Sequence, residues 1–139
     1  MPAALTPRVR TLVVCDSVRA SKVEESVFHL RGTRYHIRAD SFPLRRRLLL
    51  FLILSSPRPD RFPGYIKVID DSTDRAIYYG QIEPPPRFPS DSDLLPLVLP
   101  VNIRFPQAGR YLVQIWFFQE TAADILKMEQ TFDVLEREA

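Results

Sequence analysis

Thirteen prolines, most of them gathered at 57–63, 84–89 and 96–106, cut this chain into short pieces. Proline has no backbone N–H. It breaks helices and cannot donate to a sheet ladder, so each cluster must be a loop or a strand edge. The pieces between are rich in Val, Ile, Leu, Phe and Tyr, and none carries a capped 3.6-residue period. Such short apolar runs between turn signals read as β-strands. Eight are predicted, at about 9–18, 27–38, 45–55, 65–70, 75–82, 94–105, 110–119 and 126–135. Gly32 marks a possible bulge in the second. Asp71-Ser-Thr-Asp74 reads as a hairpin turn, because short polar side chains bond the local backbone. Pro96 and Pro100 make the sixth an edge or bent strand, and 20–26 reads as a loop. The expected fold is all-β: a two-sheet antiparallel sandwich, immunoglobulin-like, with about eight strands in a single domain spanning 1–139.

The segment Phe105-Pro-Gln-Ala-Gly-Arg-Tyr111 sharpens that expectation. A small residue, then Gly, one further residue and Tyr at the head of an alternating strand is the layout of a tyrosine corner, in which the phenol bonds a nearby backbone group at a crossover between sheets. Gly109 would supply the unusual backbone angle. Beyond it, Tyr111, Val113, Ile115 and Phe117 share one strand face. Leu112, Gln114, Trp116 and Phe118 share the other.

A chain of 139 residues, 45% hydrophobic and 26% charged, can bury a full core and does not have a disordered composition. The single cysteine, Cys15, allows no intrachain disulfide and fits a reducing compartment. Residues 1–11 carry no apolar core of a signal peptide, so a cytoplasmic location is expected. The apolar run Leu48 to Leu54 follows Arg45-Arg-Arg47 but falls far short of the ~20 residues a membrane span needs. A net charge of +2 argues against a nucleic-acid partner, although residues 1–50 hold ten basic against four acidic side chains.

Several segments together resemble a known family. Thr11-Leu-Val-Val-Cys-Asp-Ser-Val18 looks like its opening strand, and Phe28 to Arg38 with Ala39-Asp-Ser-Phe-Pro43 like its second strand and loop. The run Phe105 to Phe117 is similar to its penultimate strand, and Glu129-Gln-Thr-Phe-Asp-Val134 to its ending. The family is a bacterial one of unknown function, DUF6941-like. The resemblance covers nearly the whole chain and implies a small bacterial β-sandwich; it carries over no catalytic or ligand residues.

No chemistry-bearing constellation stands out, and neither enzyme nor cofactor is expected. His29 and His36 lie seven apart on one predicted strand, which places them on opposite faces unless Gly32 resets the phase; two such ligands alone make a poor zinc site. Cys15 reads as a buried thiol, since nothing nearby supplies the electropositive, accessible setting a reactive one needs. Asp70, Asp71, Asp74, Asp91 and Asp93 read as turn residues, with calcium binding as the competing reading. Arg45, Arg46 and Arg47 read as a solvated strand end, against a basic patch for phosphate or acidic partners.

The anomaly is apolar surface. A sandwich strand needs one apolar face, yet the run 48–54 is apolar on both, and 112–118 adds large residues to its second face. Immunoglobulin-like topology would make these strands neighbours, merging Leu48, Leu50, Leu52, Leu112, Trp116 and Phe118 into one exposed patch. Such patches mark protein interfaces. The competing reading has the proline-rich stretch 83–100 folding over that face. The expected function is therefore a non-catalytic protein-binding or assembly module, its partner another protein or a second copy. The alternative is a sandwich that binds a glycan or a calcium–lipid surface through its Asp-bearing loops.

Overall fold

The computed structural model describes residues 6–25, 27–56, 59–88, 94–120 and 122–137. In chain order its strands are β1 (Arg8–Cys15), β2 (Ser17–Ala20), β3 (Phe28–Arg31), β4 (His36–Ala39), β5 (Leu44–Ser55), β6 (Asp60–Arg61), β7 (Gly64–Asp70), β8 (Arg75–Gln81), β9 (Arg87–Phe88), β10 (Leu94–Phe105), β11 (Gly109–Phe117) and β12 (Ile125–Glu136). Two sheets face each other. One has the order β1-β5-β10; the other has the order β4-β12-β11-β7-β8. Every pairing within them is antiparallel except that of β4 with β12. The all-β sandwich expected from the sequence is the observed architecture.

The core forms where the two inner faces meet. Leu48, Leu50, Leu52 and Leu54 of β5 join Leu12, Val14, Val101, Ile103 and Phe105 from one sheet. Ile66, Val68, Val113, Ile115, Phe117, Phe132 and Val134 oppose them from the other. Each such side chain, fully buried, stabilises the fold by roughly 1.5–3 kcal/mol relative to an exposed one. The corner between β10 and β11 holds the sheets in register. Tyr111 is fully buried, and its hydroxyl donates to the Gln107 carbonyl at 2.6 Å. Gly109 opens β11 at φ +156°.

Six predicted strands match β5, β7, β8, β10, β11 and β12 closely, and β10 is an edge strand, as its two prolines require. The first two differ. The predicted 9–18 divides at Asp16 into β1 and β2, and 27–38 divides after Gly32 into β3 and β4. Gly32 has φ +64°, and a Cβ there would collide with the Asp16 carboxylate. The chain therefore turns there instead of bulging. The freed segments β2 and β3 pair as a separate hairpin, and the two-residue strands β6 and β9 pair as a further addition.

One topological expectation is overturned. The third and seventh predicted strands, β5 and β11, are not neighbours; they lie in opposite sheets.

Candidate functional site

Side chains alternate along β11, and the polar Gln114 between apolar neighbours sets the phase. Tyr111, Val113, Ile115 and Phe117 enter the core, so Leu112, Gln114, Trp116 and then Phe118 stand on the outer face of the five-stranded sheet. Register brings Tyr65 of β7 opposite Trp116 and Lys67 opposite Gln114. On β8, Tyr79 lies opposite Lys67. On β12, Leu126 lies opposite Trp116, and Glu129 opposite Gln114.

The result is an aromatic cluster centred on Tyr65. Its ring lies 5.0 Å from Tyr79, 5.1 Å from Phe118 and 5.9 Å from Trp116, the last nearly parallel at 3°. Lys67 Nζ sits 5.6 Å from the centre of the Trp116 ring, a cation–π distance. The polar ends of Trp116 and Tyr65 are already bonded within the chain. Trp116 Nε1 donates to Gln114 Oε1 at 2.9 Å, and Gln114 Nε2 donates to Glu129 Oε2 at 2.6 Å. Tyr65 donates its hydroxyl to Asp124 at 2.9 Å. Burial, then that bond to a carboxylate, pushes the phenol up to about 12, so it stays a neutral donor. Tyr79 is 54% exposed, Leu126 38% and Phe118 36%. The face is ordered, apolar and open.

Of the six residues singled out in the sequence, Leu112, Trp116 and Phe118 lie on this face. Leu48, Leu50 and Leu52 do not: they are 2%, 1% and 0% exposed, inside the sandwich. The outward residues of β5 are Leu49, Phe51 and Ile53. Three consecutive arginines ahead of an unbroken apolar run hide the phase of β5 from the sequence. Lys67, Tyr65, Tyr79 and Leu126, which complete the face, went unnoticed. The signal was the alternation of Tyr65, Lys67 and Ile69 against Ile66 and Val68.

The described residues of the stretch 83–100 do not fold over the face of β11. Its described part sends Phe88 into the core, where the ring meets Phe62 at 5.9 Å. Cover comes from elsewhere, and on the other sheet. The β2–β3 hairpin lays Phe28 against Phe51, ring centres 5.1 Å apart, over the outer face of β5.

The remaining candidates are dispersed. His29 is on β3 and His36 on β4, where His36 packs against Tyr35. Among the described residues no group of three or more His, Cys, Asp or Glu could hold a metal ion. Cys15 is fully buried, and its thiol donates to the Leu49 carbonyl at 3.7 Å. Burial, then the neighbouring Asp16, raises its pKa, so it is held as a thiol. Asp70 is nine-tenths buried or more and accepts from the Ser72 hydroxyl at 2.8 Å and the Ser72 N–H at 3.0 Å. These bonds, the hydroxyl's first, lower its pKa. Asp74 takes φ +59° in the same turn. Asp91 and Asp93 lie outside the described residues. Arg45, Arg46 and Arg47 follow Leu44 at the start of β5, with Arg46 3.4 Å from Asp16.

No family model matches the chain, and no curated protein matches it. Solved structures do. One is the C-terminal domain of wzt, at TM-score 0.56 and 7% identity, with 99% of this chain and 77% of that one covered. Another is the PmoD soluble domain from a Methylocystis species, at TM-score 0.46 and 12% identity, with 91% and 96% covered. At such identity the first likeness shows the fold alone. Among the described residues no helix is long and apolar enough to cross a membrane.

Proposed function

We propose that this chain is a non-catalytic assembly module that docks through the outer face of its five-stranded sheet, and that the docked surface is a second copy of the same face. The observation that carries this reading is the aromatic cluster of Tyr65, Tyr79, Trp116 and Phe118, in which Tyr65 and Trp116 already bond their polar ends internally and Tyr79 and Phe118 stay exposed. A partner meets apolar surface in which the Trp116 and Tyr65 donors are already satisfied and the Tyr79 hydroxyl is left to bond across, inside a rim of Lys67, Glu129 and Asp124. Apolar centre and polar rim is the anatomy of a protein interface, and fixed aromatic side chains lose little entropy on docking.

The face is also complementary to itself. Lys67, Gln114 and Glu129 form one cross-strand row, with Gln114 on β11 at its middle. A two-fold axis along β11 lays the Lys67 of each copy over the Glu129 of the other, as an isologous interface requires. The internal free thiol at Cys15 fits assembly in a reducing compartment.

Light scattering across a wide concentration range tests this. The wild-type mass is expected to rise to twice that of the monomer. Lys67→Glu and Glu129→Lys should each weaken the dimer, and the double variant should restore it. A wild-type chain that stays monomeric at every concentration, or a double variant weaker than both singles, overturns the self-docking.

A further inference from the structure

The opposite sheet ends in an arrangement the assembly reading does not use. In the β5–β10 register Arg45 lies directly opposite Arg104, and Arg47 directly opposite Asn102. Leu44, Leu48, Val101, Ile103 and Phe105 of the same strands pack on or within the core. Alternation therefore places Arg45, Arg47, Asn102 and Arg104 together on the outer face, and all four are exposed. They border a cleft of about 540 Å³. Like charges directly opposite across a sheet destabilise it. Asp16, the carboxylate at this end, is held by Arg34 at 2.6 Å and Arg46 at 3.4 Å. Among the described residues no carboxylate forms an ion pair with Arg45, Arg47 or Arg104.

We infer that this cleft binds the phosphoryl or diphosphoryl group of a small phosphorylated molecule. Guanidinium groups present planar forks that match phosphate oxygens two at a time. Three unpaired forks beside one amide call for a ligand with several oxygens and more than one negative charge, which a single carboxylate does not supply. The cleft volume is that of a small-molecule site. Arg46 also lines the cleft but already pairs with Asp16 at 3.4 Å, so the uncompensated binding set is Arg45, Arg47 and Arg104, with Asn102 as the neutral hydrogen-bonding group.

Calorimetric titration with sodium pyrophosphate in low-salt buffer tests the inference. Saturable binding is expected, weakened roughly tenfold to a hundredfold in Arg45→Ala or Arg104→Ala, the range for a lost charged hydrogen bond. Arg45→Lys should bind more weakly than wild type, because it keeps the charge and loses the fork. Arg8→Ala, at the far end of the same sheet, should bind as wild type does. Without pyrophosphate, Arg45→Ala should melt no lower than wild type, since it relieves the opposition to Arg104. No saturable binding by wild type overturns the site. So does an equal loss in Arg8→Ala, which would reveal only the general field of a basic surface.

Discussion

Both sheets carry apolar residues on their outer faces, and the chain treats the two differently. On the three-stranded sheet, Phe51 of β5 is 5% exposed because the β2–β3 hairpin returns over it and sets Phe28 on its ring. On the five-stranded sheet, Tyr79, Phe118 and Leu126 stay in solvent around a buried Tyr65. One face is closed by the chain itself over Phe51, while Leu94 and Val98 on its β10 edge stay 63% and 40% exposed. The other is ordered from within, by bonds running Trp116 to Gln114 to Glu129, and left open. Apolar composition alone therefore does not identify a docking surface; what decides is whether the chain supplies its own cover. The closed face is fixed at one corner by Asp16, which holds Arg34 just after the hairpin and Arg46 on β5.

The largest effect is expected where the cover is removed from beneath. Phe51→Ala should cost about 3 kcal/mol, the low end for a buried Phe, because the hairpin can settle partly into the space. Urea denaturation measures this. Hydrogen exchange should quicken at the Asp16 and Arg34 amides, which bond Arg31 and Val14 carbonyls at the root of the hairpin. Tyr79→Ala on the open face should cost about 1 kcal/mol or less. Equal costs would mean that the two faces are not covered differently.

The same contrast explains what could be read from the sequence. Gln114 interrupts the apolar residues of β11 and so reveals which side faces out, the side that also carries Leu112, Trp116 and Phe118. In β5, Arg45 and Arg47 point outward, but Arg46 between them masks the alternation, and Leu48 to Leu54 offers no polar residue to restore it. Leu48, Leu50 and Leu52 therefore read as outward in the sequence and lie inside the sandwich. The Asp71–Asp74 turn and the Tyr111 corner were legible because their chemistry is local. Sheet partnership of β5 and β11 was not, since it depends on non-local pairing. The hairpin was hidden because a glycine at 32 allows either a bulge or a turn, and the Asp16 carboxylate that decides between them is sixteen residues away in sequence.

Acid should loosen the corner of the covered face that Asp16 holds. The Arg34 hydrogen bond, followed by the attraction of Arg34 and Arg46, lowers the Asp16 pKa below that of the unfolded chain. A depressed carboxylate contributes stability above its unfolded value, about 3.9, and loses it as pH falls through the lower folded value. The pair is one-third exposed, so screening limits the effect. Asp16→Asn should cost about 0.5–1 kcal/mol near pH 7, the range for such pairs. Melting wild type and variant side by side from pH 7 to pH 2 should show the difference shrinking towards zero at the acid end. A difference that persists there would assign the role of Asp16 to its packing against Gly32 instead of its charge.

The smallest change in stability should give the clearest separation of the faces. Val98 on the outer side of β10 is 40% exposed, much as Phe118 is on the other sheet. Lysine at either position keeps its charge in water and lays its stem along the sheet. Val98→Lys should change stability by no more than about 0.5 kcal/mol, and Phe118→Lys, which loses its contact with Tyr65, by about 1 kcal/mol at most. Solution mass should respond very differently. A lysine at 118 places a charge at the centre of the proposed interface, where desolvation is costly and its image across the two-fold axis is another lysine; the dimer should dissociate. A lysine at 98 lies on the face the hairpin partly covers and should leave the mass unchanged. If Val98→Lys is the variant that dissociates the dimer, the three-stranded sheet is the docking face, and the aromatic cluster of Tyr65 and Trp116 serves to brace the open sheet.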